Sequence, residues 1–162
     1  MRPFLLILIY VMLELMDAGT TLYLYENFPS GREVNPYVDP SSWQGLLLAP
    51  VTFFVHAAFL LSVFVAEKGK HNIAAEGGLL SNAAHAAYFA LYLIFTDLLA
   101  VINNLMPFMG ISTPISYVLM FMENFPGNES QHLWMFLSTV FLVMAPVGLW
   151  IVKLIYRSKA AA

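Results

Sequence analysis

No cysteine occurs anywhere in the chain. That excludes a disulfide framework, a thiol nucleophile, an iron–sulfur cluster and a thiolate zinc site. Charge is scarce as well: Asp, Glu, Lys and Arg make up 10% of the residues, where a soluble domain carries about 25%. Seven Lys and Arg stand against ten Asp and Glu, which leaves no basic face for nucleic acid. Strict alternation of apolar and polar residues is missing, so spanning strands are not expected. There is no phosphate-binding glycine loop, no His-Glu-x-x-His pair and no nucleophile constellation.

What is present is apolar. Hydrophobic residues make up 60% of 162 positions, and the mean hydropathy is +0.73. A spanning helix needs about 20 mostly apolar residues. Four such runs are legible, at about residues 3–25, 43–66, 81–105 and 133–156. The expected fold is therefore all-α: one polytopic transmembrane domain over residues 1–162. Four spans and short loops take up nearly all of the chain and leave little room for a soluble catalytic domain.

Basic residues set the direction. Arg2, Lys68, Lys70, Lys153, Arg157 and Lys159 fall on one side of four spans, and only Arg32 on the other. Both termini are expected on the cytoplasmic side of a cell inner membrane. Arg2 and the run Leu5-Leu6-Ile7-Leu8-Ile9 resemble a cleaved leader, but Glu14 and Asp17 interrupt the run and no small-x-small site follows. Trp43, Trp134, Trp150 and Tyr156 lie near span ends, where interfacial anchors belong.

The loops carry local signals. Between spans one and two, Pro29-Ser30-Gly31 is a turn signal, Pro36 makes Asn35 extended, and Asp39-Pro40 reads as a helix entry. Glu67 to Asn72 reads as a short polar loop, with Gly77-Gly78 allowing a bend before span three. Pro107 and Gly110 end span three. Residues 115–122 are apolar but too short to cross, so a short interfacial or re-entrant helix is expected there. Glu-Asn-Phe-Pro occurs at 26–29 and at 123–126, which we read as repeated turn chemistry.

Ionisable side chains inside spans cost about 2.5–3.5 kcal/mol each at a helix centre, so they pair, line water or serve chemistry. Tyr10, Glu14, Asp17 and Thr21 follow steps of four, three and four, which places them on one helix face. Span two carries His56, and span three carries His85, Tyr92, Thr96, Asp97, Asn103 and Asn104. Glu14, Asp17, Thr21, His56 and Asp97 are the candidate buried polar cluster. Such a cluster serves as interhelical hydrogen bonding, as a proton or ion site, or as a divalent-metal site using Asp17, His56 and Asp97. Axial haem ligation by His56 and His85 is disfavoured, because their depths differ by roughly 9 Å at 1.5 Å per residue. Met106, Met109, Met120, Met122 and Met135, with His132, would suit Cu(I), although Met also fills apolar gaps. No cofactor is assigned.

Asp17-Ala18-Gly19-Thr20-Thr21, followed after a short loop by Glu33-Val34-Asn35-Pro36, resembles a family of small prokaryotic membrane proteins known only as a domain of unknown function. The likeness covers about residues 14–40. In that family an Asn tends to close a later hydrophobic helix, which Asn103-Asn104 would match. The resemblance implies a small helical bundle and brings no established activity. On their own chemistry, Glu33, Asn35 and Pro36 form a rigid outer-loop motif able to fold back over Asp17.

The expected role is a non-catalytic accessory or structural subunit of a larger membrane complex. Its partners would be lipid and other membrane subunits or further copies of itself. The alternatives are a small oligomeric ion or proton transporter using the buried carboxylates, and a metal-dependent intramembrane enzyme.

Overall fold

The computed structural model describes residues 3–27, 41–74, 81–110, 117–118, 120–121, 124 and 126–157. About 91% of the chain described is helical, and no strand occurs there. The helices fully within the described residues are α1 (Pro3–Asn27), α2 (Trp43–Leu47), α3 (Pro50–Lys68), α4 (Lys70–Ala74), α5 (Asn82–Leu105) and α6 (Glu129–Arg157). α1, α3, α5 and α6 are each long and apolar enough to cross a membrane. The protein is thus a multi-pass membrane protein.

α5 is the hub. It packs against α1 and α3 along most of its length and against α6 on another side. Small residues allow this: Ala83, Ala84, Ala87 and Ala90 are all buried, letting neighbouring backbones approach closely. One core layer joins Ala66, Ile73, Ala84, Ala87, Tyr88, Val152 and Tyr156 at the end where α6 finishes. A second joins Leu6, Tyr10, Phe59, Val63 and Ala90 among α1, α3 and α5.

Span two differs from its expected form. It is broken at Leu48–Ala49 into α2 and α3 rather than running unbroken from 43 to 66. Pro50 explains this. It has no N–H to continue the ladder, and it pushes Ala49 to φ −55°, ψ 141°, outside the helical region. α2 has its own cap, Ser42 Oγ accepting from the Gly45 N–H at 3.0 Å. Ser81 Oγ caps α5 in the same way through the Ala84 N–H.

The segment read as a polar loop at 67–72 is also different. α3 continues to Lys68, and after a turn at Gly69 the chain forms α4, whose Ile73 is fully buried. An apolar anchor three residues beyond the last charge, Lys70, holds that turn on the bundle. Tyr156 is a core residue, 7% exposed, and not an interfacial anchor; Trp43, Trp134 and Trp150 are exposed near helix ends.

α5 ends as expected, in a 3₁₀ turn over Met106–Met109 closed by Gly110 at φ +68°. α6 opens with a reciprocal cap: Asn128 Oδ1 accepts from the Gln131 N–H, and Gln131 Oε1 accepts from the Asn128 N–H, both at 2.9 Å. Of the expected helix at 115–122, residues 117–118 and 120–121 are helical, and Tyr117, Met120 and Phe121 are exposed; the remainder lies outside the described residues. The same is true of Glu33, Asn35, Pro36, Asp39-Pro40 and Gly77-Gly78.

Candidate functional site

The stripe Tyr10, Glu14, Asp17, Thr21 faces the bundle and feeds two hydrogen-bonded groups. The first lies between α1 and α5, near the end where α1 finishes. Asn104 Nδ2 donates to Asp17 Oδ1 at 2.8 Å, to Thr21 Oγ1 at 2.9 Å and to Thr20 Oγ1 at 3.2 Å. Thr20 in turn donates to the carbonyls of Met16 and Asp17. One amide thus ties three positions of α1 to the last turn of α5.

The second group lies one to two turns deeper, between α1 and α3. The Tyr10 hydroxyl and His56 Nδ1 share a hydrogen bond of 2.8 Å, and Glu14 Oε1 stands 3.6 Å from the same nitrogen. The Tyr10 ring stacks on Phe59 with centroids 3.8 Å apart. That stack fixes the ring, so the hydroxyl is aimed rather than free to swing.

Asp97 of α5 lies between the groups, within electrostatic reach of Glu14, Asp17 and Tyr10. Its Oδ2 is buried with no hydrogen-bond partner. An oxygen in that position costs free energy unless it is protonated or finds a cation.

A partly open cavity of about 180 Å³ touches both groups. Glu14, Asp17 and Thr21 of α1 line one wall, with Val51, Thr52 and Val55 of α3, Leu46 and Leu47 of α2, and Trp134 of α6 around the rest. It is large enough for several waters, each taking about 30 Å³.

The candidate residues therefore divide. Glu14 and His56 come together, and Asp17 and Thr21 come together. Asp97 faces the acids of α1, while His56 turns to Tyr10 and Glu14. Among the described residues no three His, Asp or Glu side chains gather closely enough to hold a metal ion. The set Asp17, His56 and Asp97 is thus not a chelate: His56 is held by the Tyr10 hydroxyl on a different helix pair from the one that holds Asp17. His85 is exposed and bonds the Ser81 carbonyl.

Three further polar residues organise the bundle. Asn104 is the central donor; the sequence marks it as a polar residue closing span three, and as the later Asn of the resemblance, but does not name the residues it serves. Tyr88 and Tyr92 donate to the Phe141 and Leu137 carbonyls of α6, both at 2.5 Å. These two tyrosines are one turn apart and grip carbonyls one turn apart, a staple between antiparallel helices.

No protein family matches the chain, and comparison with curated proteins and with solved structures finds none that is similar.

Proposed function

We propose that this protein takes up a proton or a small cation within the membrane, at the cavity bordered by Glu14 and Asp17. One observation carries the reading: two carboxylates of one helix line a single intramembrane cavity. Bundle cohesion alone needs no carboxylate there, since amides and hydroxyls join helices at lower desolvation cost. Asp97 supports it from outside the cavity lining: it is a third acid within electrostatic reach of Glu14 and Asp17, and a proton would satisfy its buried, unpartnered Oδ2. Tyr10, His56 and Glu14 supply a hydrogen-bonded path away from the cavity.

With the basic residues placed by the positive-inside rule, the cavity belongs to the outer half of a cell inner membrane, and the termini are cytoplasmic. Kinship with the small prokaryotic family of unknown function belongs to the same proposal. Asp17 and Thr20-Thr21, which carry that resemblance, meet Asn104, the later Asn it implies.

The test is reconstitution into liposomes under a pH or monovalent-cation gradient, with Glu14→Gln and Asp17→Asn as comparisons. The expected result is uptake above that of empty liposomes, lost in both variants. Uptake equal to empty liposomes, together with a thermal midpoint indifferent to cation and pH, would overturn the reading.

A second role is favoured by α6. Only 6% of its most apolar window is buried, against 17–22% for the other spans. A helix so uncovered suits a subunit that packs on partner helices. Purification in mild detergent would then bring down a stoichiometric membrane partner, or a homo-oligomer.

A further inference from the structure

We infer that α2 is a lid over the Glu14–Asp17 cavity, hinged at Leu48–Ala49 and latched by Trp43 on Gly19. The inference rests on the proposed function for its purpose, but its geometry is independent of what the cavity takes up.

Leu46 and Leu47 of α2 form part of the cavity wall, so moving α2 changes its mouth. The helix is a separate body. Its last turn closes on itself, the Leu48 N–H donating to the Gln44 carbonyl, and α3 begins afresh with the Phe53 N–H donating to the Ala49 carbonyl. Between them Pro50 offers no donor, and Leu48 and Ala49 sit at φ −108°, ψ 5° and φ −55°, ψ 141°. Rotation there breaks no helical hydrogen bond.

Beyond the packing of the buried Leu46, two contacts fasten the lid. Thr52 Oγ1 donates across the hinge to the Leu46 carbonyl at 3.1 Å. The Trp43 ring lies on α1 where Gly19 has no side chain; a Cβ at Gly19 would stand 3.3 Å from Trp43 Cη2. A small side chain there would crowd the ring, and a large one would displace it. Gly19 turns to another face of α1 than Asp17 and Thr21, but it follows the cavity-lining Ala18, so the latch fastens α2 to the helix that carries the acidic wall.

The absence of cysteine makes the test clean. Val55, which lines the cavity, is replaced by cysteine in the full chain in liposomes. A positively charged, membrane-impermeant methanethiosulfonate is applied, and Glu26→Cys, at the exposed end of α1, serves as the accessible control. The lid predicts slow modification of Val55→Cys, accelerated about tenfold by Gly19→Leu or Trp43→Ala, with the control rate unchanged. Trp43→Ala introduces no bulk, so it reports even if Gly19→Leu fails to fold. Equal rates at Val55→Cys in the parent and Trp43→Ala backgrounds, with the control reacting normally, would overturn the lid. Uptake with uniform accessibility would leave the proposed function and remove the lid. Latch-dependent accessibility without uptake would do the reverse.

Discussion

Asn104 shows how much one side chain does in a membrane. It supplies the donor for Asp17, Thr20 and Thr21, and lipid offers no substitute. Asn104→Ala is expected to lower stability by about 1–3 kcal/mol, measured by unfolding in mixed micelles. Asn104→Asp should cost more, since it sets a second carboxyl against Asp17. Tyr10→Phe is a milder case. It keeps the stack on Phe59 and loses the hydroxyl that meets His56 and Glu14, so about 0.5–1.5 kcal/mol is expected by the same measurement. The steps from Tyr10 to Thr21 already put Glu14 and Asp17 on one face, because helix periodicity reports direction. Periodicity does not name the neighbour. Asn104 stands 87 residues from Asp17, and nothing local to either says that they meet. For the same reason Glu14, Asp17, Thr21 and His56 were legible as polar groups within spans, but the pairing of Glu14 with His56 and of Asp17 and Thr21 with Asn104 was not.

At the scale of the helices, hydropathy located all four spans and missed the break in the second. A window average passes smoothly over Pro50, since its side chain is apolar; only the missing N–H and the restricted Ala49 end the helix. α4 was hidden for the opposite reason, its polar residues masking the single anchor Ile73. The α5–α6 contact gives a sharp prediction at this scale. Gly148 lies against the Tyr88 ring so closely that a Cβ would overlap it. Gly148→Ala is expected to destabilise by about 1–3 kcal/mol. In a Tyr88→Ala background the same change should add almost nothing, a non-additivity that a double-mutant cycle measures directly.

For the molecule as a whole, the distribution of Lys and Arg predicts the topology. Cysteine placed at Glu26 should react with an impermeant reagent on intact cells, and cysteine placed at His71 only after permeabilisation. Reaction of both, or of His71→Cys alone, would reverse or refute the assignment. The central place of α5 has a consequence for how the protein is made. α1 and α3 leave the ribosome before α5 exists, yet the donor that serves Asp17 is carried by α5. At about 5–20 residues per second, Asp17 waits several seconds for Asn104 to be synthesised. During that interval the nascent hairpin carries acidic groups whose cost in the membrane Asn104 does not yet offset. A chain truncated before α5 is therefore expected to be degraded faster than the full chain, which a pulse-chase measures.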